Sequence, residues 1–145
     1  MKLFIGADHR GFEMKNKLLD WLVSLQYEVF DCGNLVLDNN DDWPDIAKIV
    51  VQKIIQKSDS LGILLCGSGA GVAMAANRHK GIYAGVSFNP PHAEHIRARD
   101  RCNVLCLPAE YISFDTAKEI ITTFLKTKPI DSTRYINRMK KVDLL

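Results

Sequence analysis

The chain has 145 residues, of which 47% are hydrophobic and 25% are charged, and its formal net charge at neutral pH is +2. This length and composition fit one globular domain, residues 1–145, whose core needs no disulfide or metal. The small net charge argues against a nucleic-acid partner, and no apolar run approaches the length of a membrane span.

The chain contains four cysteines, Cys32, Cys66, Cys102 and Cys106. They form no CxxC pair, and no secretory leader precedes them, so we expect free thiols in a reducing cytoplasm. Cys102 and Cys106 lie in an apolar stretch, where buried hydrophobic side chains are expected rather than metal ligands. The sequence therefore predicts no metal site.

The chain begins with a strand-like pattern followed by a helix-like one. An apolar run over residues 3–7 predicts a buried strand. The spacing of Leu18, Leu22 and Leu25 then predicts a helix with one apolar face. A second strand is predicted over residues 27–32.

A polar loop rich in Asn and Asp follows and ends at Pro44. The helix predicted after it has an apolar face formed by Ile46, Ile49, Val50 and Ile54. Residues 61–66 predict a third buried strand. A glycine-rich loop separates this strand from a short helix that is predicted to run through Ala76.

The alternation continues to the end of the chain. Residues 82–86 and 103–107 predict the fourth and fifth strands, and a helix is predicted between them over residues 90–99. An amphipathic helix over residues 115–125 and a basic helix over residues 132–142 complete the pattern.

Five strands, each followed by a helix, predict an α/β fold with a five-stranded parallel sheet and helices on both faces. Ligands bind such sheets beyond the carboxyl ends of the strands. Three loops, residues 8–10, 66–71 and 87–92, are therefore predicted to lie together. The last helix has no strand to cover, so it packs on an edge or reaches another subunit.

The loop after the third strand joins a cysteine, a hydroxyl and several glycines. At a strand-to-helix junction of this kind, backbone N–H groups are unpaired, and the helix dipole favours the thiolate form of Cys66. Together with Ser68, these groups could stabilise a transient oxyanion. The loop is not a dinucleotide fingerprint, because Val72 stands where the third glycine is required, and no Walker sequence is present. The alternative is a tight turn beside an inert buried cysteine.

Three further groups of residues are candidates for binding. Asp8 and His9 follow the first strand and could bind sugar hydroxyls or a phosphate, or Asp8 could cap the next helix. Arg134 and Arg138 lie one helical turn apart, which suits a phosphate but also a solvated basic helix. The third group is a helical stripe of His92, His95 and Arg99, which we interpret as surface.

With these residues assembled, the chain resembles the ribose-5-phosphate isomerase B family, which includes galactose-6-phosphate isomerase subunits. The similarity runs nearly from end to end. The matching segments are GADHRGFEMK (6–15), DDWPDIA (41–47), CGSGAGVAMAANRHKGIYA (66–84), NVL (103–105) and RYINR (134–138).

The resemblance implies a doubly wound, Rossmann-like domain in a homodimer or a tetramer, whose sites are completed across the subunit interface. It also implies cofactor-free aldose–ketose isomerisation of a sugar phosphate through a cis-enediolate. By resemblance, Cys66 would be the base, and Ser68 would assist the substrate oxygen atoms. The backbone N–H groups expected to hold the enediolate are those of Gly67, Ser68, Gly69, Ala70 and Gly71.

The resemblance also assigns binding roles. Asp8 would bind sugar hydroxyls, Trp43 would lie near the sugar, and Asn77 would support the loop. His9, Arg134 and Arg138 would bind phosphate, with the two arginines serving the neighbouring subunit's site.

Two positions depart from the family pattern. Arg99-Asp100-Arg101 replaces the usual His-Asn-Asp or His-Asn-Asn, whose histidine is assigned to opening the sugar ring. Arginine cannot exchange a proton at neutral pH, so Asp100, His95 or His92 takes this task, the substrate arrives open, or the subunit isomerises poorly. We assign ring opening to Asp100 and place Arg99 at the substrate.

The second departure is Glu110, which stands where a phosphate-facing arginine is usual. A carboxylate there repels a phosphate unless it turns away or pairs with Arg99 or Arg101, either of which could supply the lost positive charge.

Three hypotheses follow, in order of preference. The first is a cytoplasmic ribose-5-phosphate isomerase. The second is the same chemistry on a tetrose or hexose phosphate or an epimeric pentose phosphate. The third is a non-catalytic sugar-phosphate-binding subunit that has lost ring opening.

Overall fold

A computed structural model describes all 145 residues of the chain. Its strands are β1 (Lys2–Ala7), β2 (Glu28–Asp31), β3 (Ser60–Cys66), β4 (Ala84–Val86) and β5 (Val104–Pro108). All pairings are parallel, and the strands form one sheet in the order β2-β1-β3-β5-β4.

Each predicted helix is present within one or two residues of its predicted position. The helices are α1 (Phe12–Ser24), α2 (Trp43–Gln56), α3 (Ala70–Ala76), α4 (Pro90–Ala98), α5 (Phe114–Lys126) and α6 (Thr133–Val142). None of them is both long enough and apolar enough to cross a bilayer.

The sheet is covered on both faces, which confirms the predicted fold class. Alternate residues of β1 point to opposite sides: Leu3 and Ile5 pack with α1, α4 and α5, whereas Phe4 packs with α2 and α3. The central strand β3 is buried over its whole length, as expected for a strand with helices on both sides.

The carboxyl ends of β1, β3 and β5 lie level with one another. Ala7 pairs with Leu65, and Leu65 pairs with Leu107. The strand order reverses between β1 and β3, because β2 lies on one side of β1 and β3 on the other. This is the position at which open parallel sheets bind ligands.

The position of β5 corrects one expectation from the sequence. Because β5 lies between β3 and β4, the loop beside residues 66–71 is the one after β5, and the loop 87–92 lies at the sheet edge. Ser87 is fully buried and donates to the backbone of Asn89, and Asn89 caps α4 by accepting from His92 N. These residues shape the start of α4.

Two predicted core residues are exposed. Leu25 lies just beyond the end of α1 and is 51% exposed, and Ile49 on α2 is 41% exposed. Cys102 and Cys106 are buried, as predicted.

The last helix, α6, has no buried residue. Its end is fixed by Asp143, whose carboxylate accepts hydrogen bonds from Gly81 N at 3.0 Å and from the Tyr83 hydroxyl at 2.7 Å. Both partners lie just before β4, so α6 is attached at the amino edge of the sheet. A role for α6 in another subunit stays a prediction.

Candidate active site

A pocket of about 510 Å³ opens at the carboxyl edge of the sheet. It is lined by three segments that follow strands and by the start of α2. The lining residues are Asp8, His9, Arg10, Asp41, Asp42, Trp43, Cys66, Gly67, Ser68, Gly71, Glu110 and Tyr111.

Cys66 lies at the floor of this pocket. It is the last residue of β3, it is 3% exposed, and it packs in the core layer beside Val72 and Cys106. Its backbone carbonyl accepts from Ala109 N at 2.9 Å, which fixes the end of the strand. Cys66 is therefore a buried residue with a fixed backbone that lines the pocket.

The glycine loop after Cys66 provides several backbone N–H groups without a partner in the chain, those of Gly67, Ser68, Gly69 and Gly71. The loop turns at Gly69, whose φ of +73° is the left-handed conformation that glycine adopts most easily. Ala70 is different, because its N–H donates to the Ser68 hydroxyl at 3.2 Å. Gly67, Ser68 and Gly71 line the pocket, whereas Gly69 and Ala70 do not. Contacts of Gly69 and Ala70 with the substrate stay a prediction.

Trp43 forms a pocket wall at the first position of α2. A Cβ atom at Gly71 would lie 2.9 Å from the Trp43 ring, so the two residues are in direct contact and only glycine fits. The α2 helix thereby brings an aromatic surface beside the glycine loop.

Asp8 is buried just beyond the end of β1. Its Oδ1 accepts from Arg10 N at 3.0 Å and Gly11 N at 3.3 Å, so it shapes the start of α1. Its Oδ2 has no partner in the chain. Burial raises the pKa of Asp8, against the lowering by the two backbone N–H groups.

His9 is held by Asp41, which the sequence did not single out. The Asp41 Oδ1 atom lies 2.7 Å from His9 Nδ1 and accepts from His9 N at 3.0 Å. The hydrogen bond with Asp41 raises the pKa of His9. No signal in the chain marked this aspartate among its neighbours Asp38 and Asp42.

Glu110 pairs with Arg10, whereas Arg99 and Arg101 were its candidate partners from the sequence. Arg10 Nη1 lies 2.6 Å from Glu110 Oε1. Arg101 instead donates to the backbone carbonyl of Ile130. Arg99 and Arg101 do not reach Glu110, because residues 99–101 lie at the amino edge of the sheet, before β5 begins at Val104.

Four predicted site residues besides Gly69 and Ala70 lie outside the pocket: Arg99, Asp100, Arg134 and Arg138. The first two follow α4, which runs back from the carboxyl edge to the amino edge. The other two are exposed on α6, which is attached at that same amino edge. Within one protomer the pocket has neither a ring-opening group from position 100 nor the two α6 arginines.

Asn77 has a different contact from the predicted one. Its side chain exchanges two hydrogen bonds with the backbone of Ala84, at 2.7 and 2.9 Å, and so joins the end of α3 to β4. It makes no hydrogen bond to the glycine loop.

No group of three or more His, Cys, Asp or Glu side chains is arranged to hold a metal ion. The groups available in the pocket are instead a thiol, a hydroxyl, an imidazole, carboxylates and unpaired N–H donors. Such groups can move protons and stabilise negative charge on oxygen.

Comparison with known proteins agrees with this geometry. Residues 3–142 match the sequence model of the family described as Ribose/Galactose Isomerase. The chain belongs to this family. The probable ribose-5-phosphate isomerase B of Mycoplasma genitalium is 38% identical over 141 residues, which cover 97% of this chain and 92% of the relative.

This chain also superposes on a solved structure with a TM-score of 0.93. That structure is the crystal structure of ribose-5-phosphate isomerase B from M. genitalium with bound ribulose-5-phosphate. Its sequence is 37% identical, and the match covers 99% of this chain and 94% of that one. The 4-deoxy-4-sulfo-D-erythrose isomerase of a Clostridium species is 35% identical over 127 residues, which cover 88% of this chain and 80% of the relative. The relatives of this chain are therefore named for more than one anionic sugar.

Proposed function

We propose that this protein is an aldose–ketose isomerase that interconverts ribose 5-phosphate and ribulose 5-phosphate. The observation that carries the proposal is the position of Cys66, at the floor of a pocket whose glycine loop has unpaired N–H donors. The ligand of the M. genitalium structure supports the choice of substrate. We treat residues 1–145 as one catalytic domain.

In the proposed mechanism Cys66 transfers the proton between C2 and C1. The thiolate removes the proton from C2 of the open-chain aldose, and the electrons form a C1–C2 double bond while negative charge develops on the C1 oxygen. The C2 hydroxyl proton then moves to that oxygen, and the Cys66 thiol returns its proton to C1. The reaction moves hydrogen as protons and involves no net oxidation or reduction, so no external oxidant or reductant is needed.

Ser68 is suited to moving the proton between the two substrate oxygens. Its Oγ accepts from Ala70 N, which leaves the hydroxyl proton free to donate. The N–H groups of Gly67, Ser68 and Gly71 are suited to stabilising the enediolate. In other enzymes the loss of one such donor lowers kcat by roughly 10²- to 10³-fold.

The remaining pocket residues are assigned to binding. Asp8 Oδ2 is free to accept from a sugar hydroxyl, and the Trp43 ring supplies an apolar wall. His9 is assigned to the phosphate group. Its ring is 28% exposed at the pocket wall.

The residues that lie at the amino edge enter the proposal through a second copy of the chain. We assign Arg134 and Arg138 to the phosphate in the neighbouring subunit's pocket, and Arg99 and Asp100 to that subunit's sugar ring. The protein is then a homodimer, or a tetramer built from such dimers. With four free cysteines, it is suited to a reducing cytoplasm.

A second candidate is the same reaction on a sugar with a different anionic group or chain length. It is favoured by Glu110, which lines the pocket where the resemblance leads us to expect an arginine, and by the sulfo-sugar specificity named for the Clostridium relative. The test is kcat/KM measured with ribose 5-phosphate, tetrose and hexose phosphates and a sulfo-tetrose. The proposal predicts the highest value for ribose 5-phosphate, and a higher value for another sugar would replace it.

The third hypothesis is a sugar-phosphate-binding subunit without activity. Exchange of the sugar's C1 and C2 hydrogens with solvent distinguishes it from an isomerase. An isomerase incorporates solvent deuterium at C1 or C2 of the sugar, whereas a binding subunit does not. Tight binding of ribose 5-phosphate with no deuterium uptake would contradict the proposed function.

A further inference from the structure

The His9 side chain is fixed by a single carboxylate. Asp41 Oδ1 contacts both the ring Nδ1, at 2.7 Å, and the backbone N of His9, at 3.0 Å. Because an ionised carboxylate only accepts hydrogen bonds, Nδ1 carries a proton and donates it. The ring nitrogen that remains for other partners is Nε2.

Asp41 is itself held in place. Its Oδ2 accepts from Asn34 Nδ2 at 2.9 Å, and its side chain is only 9% exposed. The backbone carbonyl of Asn34 accepts from Lys15 Nζ at 3.0 Å, and Lys15 is fully buried beside Asp31. A continuous set of polar contacts therefore runs from a buried cation under the sheet edge to the imidazole in the pocket wall.

The charges around His9 favour its protonated form. The charged groups that face the imidazole are Asp41, Asp8 and Arg10. Asp41 raises the pKa of His9 through its hydrogen bond, and Asp8 adds to this effect, while desolvation and Arg10 oppose it. A larger fraction of His9 is therefore cationic near neutral pH than for a free histidine.

We propose that Asp41 is a positioning residue for His9, orienting the imidazole and keeping it cationic so that Nε2–H binds the anionic group of the substrate. This inference rests on the proposed function, in which His9 contacts the phosphate. Asp41 does not contact the substrate in this proposal and acts on it through His9. Asn34 acts on His9 indirectly, because it donates a hydrogen bond to Asp41 and so holds that carboxylate in place.

The proposal predicts an effect on binding rather than on proton transfer from carbon. In Asp41→Asn the side-chain volume is kept and the charge is lost, so His9 deprotonates at lower pH. At pH 7.5, KM for ribose 5-phosphate should rise by about five-fold, the loss of one charge-assisted contact, with kcat nearly unchanged. The pH at which KM begins to rise should be lower in the variant, and the two proteins should converge where His9 is protonated in both.

Asp38→Asn is the matched control. It removes the same charge from the same loop, but Asp38 is exposed and its carboxylate accepts only from the backbone N–H of Asn40. The backbone carbonyl of Asp38, which accepts from Asp41 N, is kept in this variant. Its KM profile should follow the wild type. The substrate phosphate has a pKa of about 6, and its titration changes the KM profiles of all variants equally.

The direct measurement is the NMR titration of the His9 ring in the intact protein. The midpoint should fall in Asp41→Asn, fall by less in Asn34→Ala, and stay unchanged in Asp38→Asn. An unchanged midpoint in Asp41→Asn, or a KM profile with the wild-type pH dependence, would overturn the proposal. The titration needs no turnover, so an inactive wild-type protein would contradict the proposed function alone.

Discussion

Arg10 and Glu110 form an ion pair across the mouth of the pocket, with 2.6 Å between Nη1 and Oε1. The two side chains meet over Gly67, where an added Cβ atom would lie 3.0 Å from Arg10 and 3.1 Å from Glu110. The loops after β1 and β5 are thereby joined above the glycine loop. The negative charge of Glu110 faces the pocket together with a compensating positive charge.

Removing the carboxylate should strengthen substrate binding. In Glu110→Gln, Arg10 loses its partner and becomes available to the phosphate. We expect KM for ribose 5-phosphate to fall by about two- to five-fold, a modest change because both side chains are substantially exposed and the pair is screened by solvent. Steady-state kinetics at low ionic strength is the measurement.

Arg10→Ala is the complementary variant, in which Glu110 is unpaired and KM should rise. Both differences should shrink in high salt because exposed charges are screened there. A higher KM in Glu110→Gln would mean that the carboxylate contributes to substrate binding, which contradicts the prediction.

The geometry of the glycine loop can be tested with two matched glycines. Gly69 has φ +73°, and a Cβ there would lie 3.1 Å from Val86, whereas Gly81 has φ +79° and open space around it. Alanine in this left-handed backbone conformation should lower the free energy of unfolding by about 1–2 kcal/mol at either site. Only Gly69→Ala should also lower kcat by an order of magnitude or more, because its methyl group displaces the N–H donors.

Thermal unfolding combined with kinetics separates the two effects. If Gly81→Ala lowered kcat as much as Gly69→Ala, the loss would be due to backbone strain alone, and the N–H groups would not be implicated.

Lys15 is a fully buried cation, and its pairing with Asp31 stabilises the loop that leads to Asp41. Its Nζ lies 2.7 Å from Asp31 Oδ2. Lys15→Met leaves the Asp31 carboxylate without its cation, so the free energy of unfolding should fall by about 3–5 kcal/mol. The control is Lys17→Met on the exposed face of α1, where the pair with Glu13 contributes less than about 1 kcal/mol. Denaturant unfolding measures both, and equal losses would refute the prediction.

The attachment of α6 should depend on pH. The Tyr83 hydroxyl lowers the pKa of Asp143 from 3.8, so the attachment is complete above that value and is lost as the pH falls through the lowered pKa. The pKa of Tyr83 is raised from 10.0 to about 12, mainly by burial and then by its hydrogen bond to Asp143. Because the ionised Tyr83 oxygen cannot donate to Asp143, the attachment of α6 is lost again as the pH rises from 10 towards 12. Hydrogen exchange of the α6 amides at neutral pH should therefore be faster in Tyr83→Phe than in the wild type.

The control for this experiment is Tyr27→Phe, which removes a hydroxyl beside β2. It should leave α6 exchange unchanged. If Arg134 and Arg138 serve a neighbouring pocket, Tyr83→Phe should also raise KM, since it loosens the helix that carries them. Unchanged exchange in Tyr83→Phe would show that α6 is held by other contacts.

The sequence predicted the elements of this fold well because its strands are short, apolar and bounded by polar turns. The long apolar run of β3 and the apolar face of α5 are unambiguous in this respect. The strand order was not predictable from the same signals, since β4 and β5 are both short apolar runs and either could have been the neighbour of β3. The misplacement of the loop 87–92 follows directly from this ambiguity.

Some residues of the candidate site were predictable from the sequence and others were not. Cys66, Ser68 and Gly71 were predictable, because a strand-to-helix junction fixes where each of them lies. Asp41 was not, because it reaches His9 across 32 residues from a loop without regular structure. The Arg10–Glu110 pair was missed for the same reason, because it joins two loops that are 100 residues apart in the sequence.

The most direct test of the account is isomerisation of ribose 5-phosphate in D₂O by the wild type and by Cys66→Ala. The binding of the sugar phosphate to each protein is measured in parallel. Cys66→Ala should bind within about three-fold of the wild type, because the thiol contacts the reacting carbons and not the phosphate. It should lose about 10³-fold or more in kcat, together with deuterium incorporation at C1 and C2. Isomerisation and deuterium uptake by Cys66→Ala at the wild-type rate would contradict the assignment of the thiol as the base.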